Sequence, residues 1–235
     1  MFQKLRKSKK LLLIAMACAT FAIAGCGSDT TKNTADNGKA VTWSETFDGT
    51  KTDFAVKSSP THAVSMSQAT TEMMLQLGLE DKMAGTAFKE EEIYPPLQAA
   101  YDKVKVLSDK WPSYEVFMSV KPDFATGWPD SFSKRAIPAD KMIAQKVNIW
   151  LPESMLSTKA DLETNFNDMI KLGEIFGVKP KAEEWVAGQR KTLEAIQTKL
   201  KDLPRKRVFI YDSEDGQPFT AFEGYTTNIL KLIGA

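Results

Sequence analysis

Between residues 62 and 150 the chain alternates short apolar runs with stretches of helical spacing, and this alternation limits the possible fold more than any other feature. Residues 62–66, HAVSM, read as a strand; residues 67–77 then place Met73, Met74 and Leu77 at helical spacing, with Gly78 where such a helix would end. Residues 83–87 read as the next strand. A helix that starts near Tyr94, Pro95 and Pro96 leads to a strand at 104–107, and Ser113 is placed to cap a short helix that stops before Lys121 and Pro122. Strands at 123–126 and 147–150 flank a helical stretch at 131–145 that is interrupted near Pro138. Strands separated by helices in this way predict an α/β fold with a mainly parallel sheet covered on both faces. Beyond Pro152 the spacing becomes helical, over 160–176 and again from Pro180 to about Leu203. A strand is expected at 207–211, a turn at 213–216, an extended piece at 218–222 and a helix from about Thr226.

The N-terminus addresses the compartment. Lys4, Arg6, Lys7, Lys9 and Lys10 precede an apolar run over 11–24, and small residues lead into Cys26. A basic segment, a short apolar segment and a small-residue cut site make an export signal, and the run is too short to span a bilayer comfortably. The ending Gly25-Cys26 resembles a bacterial lipobox, in which the cysteine is acylated and becomes the new N-terminus; the alternative is an ordinary secreted protein. Each buried CH₂ of an acyl chain contributes about 0.8 kcal/mol, so several chains on one residue hold a protein at a membrane surface. Residues 27–39, GSDTTKNTADNGK, contain nothing apolar except Ala35 and read as a flexible tether. The expected organisation is a signal at 1–25, a tether at 26–45, an α/β lobe at 46–158, a helical segment with a long spine helix at 159–204, and the start of a second α/β lobe at 205–235.

Composition removes several functions. Cys18 leaves with the signal, so a disulfide within the mature chain is excluded and stability must come from an apolar core. Without the five signal cations, 26 Lys and Arg face 30 Asp and Glu, a net charge near −4, which argues against a nucleic-acid partner. The sequence has no phosphate loop, no nucleophile elbow, no HExxH and no cysteine pair, and the single histidine, His62, cannot furnish the ligand set of a bare transition metal. The acidic stretch 212–216 fails as a calcium loop, because aligning Gly216 with the turn glycine puts Tyr211 and Ser213 at the first and third ligand positions. No cofactor, metal site or catalytic residue is therefore expected.

Several ordered segments resemble a bacterial substrate-binding lipoprotein of the iron-siderophore and vitamin B12 type. PTHAVSMSQATTEMMLQLGL at 60–79 is similar to that family's opening strand, Ser-rich turn and Thr-Glu helix, and DKMAG at 81–85 continues it. WPSYEVFMSVKPD at 111–123 resembles its short Glu-bearing helix before Lys-Pro-Asp, while RVFIYD at 207–212, PFTA at 218–221 and NILKLIG at 228–234 resemble the start of a second lobe. The resemblance implies a two-lobed periplasmic-binding fold whose lobes are joined by a single long helix. The family normally continues well past the NILKLIG helix, so the second lobe is expected to be incomplete in this chain, as a fragment or a truncated product. It also implies a non-enzymatic, lipid-anchored, extracytoplasmic receptor that hands a bulky chelate or macrocycle (an iron-siderophore, corrinoid, heme or F420 precursor) to an ABC permease. The alternatives are a sensory or interaction lipoprotein with a degenerate lobe, and an enzyme on the same scaffold such as a chelatase.

In an open α/β sheet, ligands settle outside the carboxyl ends of the strands. The loops there hold Ser67, Gln68, Phe88, Trp111, Trp128 and Arg135, with Tyr211 and Phe222 from the second lobe. Aromatic residues suit flat ligands, and Arg135 suits a carboxylate or catecholate. Each aromatic has the alternative role of core packing. The resemblance assigns Glu115 to docking on the permease; the plainer reading is a favourable charge in the first turn of a helix.

Overall fold

The computed structural model describes residues 39–214, 216–220 and 223–234; the export signal, Cys26, most of the tether and Phe222 lie outside them. Among the described residues the chain opens with an antiparallel hairpin of β1 (Val41–Phe47) and β2 (Thr50–Val56). Its turn is Asp48-Gly49, with φ of 48° and 78°, the positive values that a tight hairpin turn demands and that Asp-Gly adopts readily. The expected tether therefore overshoots, because residues 41–45 belong to β1.

Five parallel strands follow: β3 (Ala63–Ser65), β4 (Met83–Ala87), β5 (Val106–Ser108), β6 (Phe124–Thr126) and β7 (Asn148–Trp150). Their order is β5-β4-β3-β6-β7, so the chain winds outward from β3 to one edge and then crosses to the other. The period of two divides each strand between two cores. Ala63, Phe124 and Trp150 face one layer with Met74, Leu77, Phe166 and Leu172, whereas Val64, Ala125 and Ile149 face the other with Phe117, Ile137 and Met142. Phe124 is fully buried and meets Phe176 edge-on at 5.1 Å, a position where truncation to alanine costs about 3–5 kcal/mol.

The crossover helices are α1 (Gln68–Gln76), α2 (Gln98–Tyr101), α3 (Tyr114–Ser119) and α4 (Ala139–Ala144). Ser67 and Ser113 cap α1 and α3, each accepting a backbone N–H from three residues on. The helix expected over 131–145 is shorter: Pro129–Phe132 forms a single 3-10 turn, and Pro138, which cannot continue a helix begun before it, starts α4.

The hairpin seals the β7 edge. Trp43 donates its indole N–H to the Ile149 carbonyl at 2.7 Å and stacks on Phe54 at 5.7 Å, and the buried Glu45 carboxylate accepts the Leu151 N–H at 3.0 Å. This covers backbone groups that an edge strand would otherwise leave open to pairing.

Next comes α5 (Leu162–Ile175), opened by a capping box in which Asp161 and Thr164 satisfy each other's backbone N–H groups. Gly177, at φ 69°, turns the chain into α6 (Lys179–Leu200), 22 residues and so about 33 Å long. The two helices close on small residues, since a Cβ on Gly173 would lie 2.7 Å from that of Ala182. Ala182 and Val186 in the first half of α6 are buried in the same core as β3 and β6, so this half is part of the lobe's covering layer. Beyond it, β8 (Tyr211–Glu214) pairs antiparallel with β9 (Pro218–Thr220), and α7 (Tyr225–Leu232) follows. The strand expected at 207–211 begins only at Tyr211, because 207–210 has no ladder partner among the described residues.

Candidate functional site

The loops after β4, β5 and β6 converge on an open cleft of about 420 Å³, lined by Phe88, Glu90, Trp111, Trp128, Pro129 and Asp130. It stands at the carboxyl ends of parallel strands, around the central strand where the winding changes direction, which is where ligands settle in such sheets. Phe88 and Trp111 stack with centroids 4.6 Å apart and planes within 15°, forming one flat aromatic wall. Phe88 holds a φ of 59°, left-handed backbone that a bulky residue rarely adopts, so the surrounding contacts fix it there.

The first turn after β3 holds the walls. The Met66 carbonyl accepts the Trp111 indole N–H at 3.1 Å and the Ser131 hydroxyl at 3.2 Å, tying the loops after β5 and β6 to one backbone group. Gly127 permits this approach, since a Cβ there would fall 3.0 Å from both Met66 Cβ and Ser131 Oγ. Behind the turn, Ser65, Ser67, Thr70, Thr71 and Thr86 form a buried hydroxyl network that braces the start of α1.

The structure separates the residues that the sequence groups together. Phe88, Trp111 and Trp128 line the cleft, with Trp128 donating its indole N–H to Glu90 Oε2 at 3.3 Å. Ser67 does not reach it: the residue is fully buried, and its hydroxyl caps α1 and bonds Thr70. Gln68 is committed to the 88–92 loop. Its carbonyl accepts the N–H groups of Glu90 and Glu91 at 2.9 and 2.7 Å, while its amide donates to the Glu92 carbonyl and to Glu72. The sequence presents Arg135 as an anion contact, but its guanidinium pairs with Asp130 at 2.6 Å on an exposed turn and is not part of the lining. Tyr211 is exposed on β8, also outside the lining, and Phe222 is outside the described residues.

Two lining carboxylates, Glu90 and Asp130, escape the sequence reading because acidic residues in loops usually belong to solvated surface. The Glu90-Glu91-Glu92 run, one residue after the aromatic Phe88 at a strand end, is a signal that could have found Glu90; nothing comparable marks Asp130. Glu115 is exposed in the first turn of α3, where its own backbone N–H and the Ser113 hydroxyl hold its carboxyl below the usual carboxylate range. Among the described residues no group of three or more His, Cys, Asp or Glu side chains could hold a metal, and no helix is long and apolar enough to cross a membrane.

A lobe of this topology with an aromatic cleft at its strand ends defines a ligand-binding protein of the α/β, periplasmic-binding class. The chain belongs to the periplasmic binding protein family, whose pattern matches residues 64–228. It is 26% identical over 222 residues to the uncharacterized ABC transporter substrate-binding lipoprotein YvrC of Bacillus subtilis strain 168, an alignment that covers 91% of this chain and 67% of that protein. A crystal structure of a periplasmic binding protein from Veillonella parvula DSM 2008 is 95% identical with a TM-score of 0.83, over 84% of this chain and 67% of that one. The vitamin B12 binding protein BtuF of Vibrio cholerae shares the fold at 20% identity and a TM-score of 0.57, over 74% of this chain and 64% of its own. Siderophore- and heme-binding proteins share it at 14–22% identity. The chain spans about two thirds of the length of these relatives. Within this family it is a substrate-binding protein of ABC transport and not an enzyme.

Proposed function

We propose that this chain is the extracytoplasmic receptor of an ABC importer, held to the membrane by acyl chains on Cys26, and that it captures a bulky, flat-faced chelate or macrocycle in the cleft at the carboxyl ends of β4, β5 and β6. The stacked pair Phe88 and Trp111 carries this reading: a rigid aromatic plane, half-buried and held by the Met66 carbonyl, is a surface for stacking a ligand. Iron-siderophores, corrinoids, heme and F420 precursors are the candidate ligands. A second lobe would close over the exposed face, and Glu115, standing outside the cleft on α3, would meet the permease.

The test is mass spectrometry of small molecules retained by the purified protein, followed by titration of the released compound against tryptophan fluorescence. Quenching is expected, with Trp111→Ala weakening binding by more than about 1 kcal/mol, as buried aromatic anchors commonly do. Full affinity in both Trp111→Ala and Trp128→Ala would put the site elsewhere.

A further inference from the structure

The cleft has an unusual balance of polar groups for a site that takes an anionic chelate. Its charged lining residues, Glu90 and Asp130, are both carboxylates. Its two indole donors are already committed, Trp111 to the Met66 carbonyl at 3.1 Å and Trp128 to Glu90 at 3.3 Å. Arg135 is held by Asp130 at 2.6 Å, and the two cations nearest the wall in sequence, Lys89 and Lys110, are exposed and not among the lining residues. What the wall offers a ligand is therefore three aromatic faces, each negative at its centre, and carboxylate oxygens that keep acceptor capacity, since each carboxylate has about four lone-pair sites and these make few bonds.

Such a set attracts positive charge and N–H groups and repels anions. A cation over an aromatic face is attracted by the negative centre of the ring, most over Trp, and a carboxylate at its edge strengthens the attraction. An anion placed against the same wall would face Glu90 and the Arg135-paired Asp130, and its counter-charge would have to come from outside the lining, from the exposed Lys89 and Lys110 or by breaking the Asp130–Arg135 pair. We infer that the ligand presents a flat face bearing cationic or N–H donor groups to the Phe88–Trp111–Trp128 wall, with Glu90 and Asp130 as the residues that select its charge. This rests on the receptor reading and narrows the ligand class that reading leaves broad.

Two flat probes with one ring and opposite charge test it: meso-tetrakis(N-methylpyridinium)porphyrin, a cation, and meso-tetrakis(sulfonatophenyl)porphyrin, an anion, each titrated against the tryptophan fluorescence of the purified protein. The cation is expected to bind at least tenfold tighter. The Glu90→Gln/Asp130→Asn double variant should bring the two probes to within about threefold, partly by releasing Arg135 to the anion. The control Glu183→Gln/Glu194→Gln removes two carboxylates from α6 and should leave the preference intact, which separates the wall from the general charge of the molecule. Tighter or equal binding of the anion, a preference that survives the wall variant, or one lost equally in the control overturns the inference. So does failure of both probes to bind. None of these results touches the receptor reading, which fails only if no small molecule is retained by the protein or if the retained compound binds away from the tryptophans.

Discussion

Replacing Glu45 with glutamine should make the protein more stable at neutral and alkaline pH and remove the part of its pH dependence that this carboxyl supplies. Glu45 sits on β1 with only 7% of its surface exposed, where burial, together with the charges of Glu153 and Asp168, raises its carboxyl to about 7 against the opposing effect of the Leu151 N–H. Asp168, also buried, is raised mainly by burial, although the N–H groups of Glu153 and Ser154 bond it at 2.9 Å. A folded carboxyl that holds its proton more tightly than the unfolded chain favours folding at low pH. The contribution of Glu45 to stability is most favourable below about 4.5, falls as the pH rises from 4.5 to 7, and above 7 carries the full cost of the buried charge. A rise from 4.5 to about 7, at 1.36 kcal/mol per pKa unit, is worth about 3 kcal/mol. Glutamine keeps an oxygen for the Leu151 N–H and cannot ionise. The advantage of Glu45→Gln over wild type should therefore grow by about 2.5 kcal/mol between pH 5 and pH 8. Urea unfolding followed by tryptophan fluorescence measures this, since Trp43 sits in the same contact. Parallel stability profiles for the two proteins across that range, or a glutamine variant that is less stable at pH 8, would refute the reasoning by showing that the ionised carboxylate is compensated where it stands.

Gly173→Ala should lower stability by about 1–3 kcal/mol in thermal unfolding, because the new Cβ would meet Ala182 Cβ at 2.7 Å and the Lys179 backbone at 3.2 Å, neither of which can swing aside. Glu115→Ala should leave ligand affinity and melting temperature nearly unchanged while weakening permease binding in a reconstituted pull-down; an effect confined to melting temperature would make Glu115 a helix-end charge only. Cys26→Ser should move the protein from the membrane fraction to the soluble fraction and abolish N-terminal acylation, as cell fractionation and intact-mass measurement would show.

Elements with strong local chemistry are legible in the sequence. Ser67 and Ser113 cap their helices as their positions suggest, Gly78 turns at φ 64°, and Met83–Ala87 is the strand its composition predicts. The hairpin is legible too, yet it is easy to overlook. Asp48-Gly49 between the alternating runs VTWSETF and TKTDFAV is a strong hairpin signal, but β1 follows directly on a polar tether and its most informative inward residue is a glutamate. Only the structure shows why a glutamate points inward there: the Leu151 N–H at the end of β7 needs an acceptor. The strand at 207–211 is misplaced for the converse reason, since RVFIY has the composition of a strand while a strand exists only with a partner to complete its ladder.

The candidate cleft is legible as a location and illegible as a charge pattern. That Phe88, Trp111 and Trp128 would meet follows from their places after parallel strands, because topology alone brings those loops to one end of the sheet. Whether a polar residue in the same loops faces the cleft depends on which backbone groups need partners nearby, and spacing does not encode that. Ser67 and Gln68 are consumed by the start of α1 and by the 88–92 loop, Arg135 by Asp130, and what remains toward the cleft is Glu90 and Asp130. The hairpin bears on this wall as well: Phe47 of β1 packs against Phe132 at 6.3 Å, and Phe132 closes the 3-10 turn that carries Pro129 and Asp130. One face of β1 thus seals the sheet edge through Trp43 and Glu45 while its last residue supports a wall of the cleft, so loosening the hairpin should disturb ligand binding without any direct contact to the ligand.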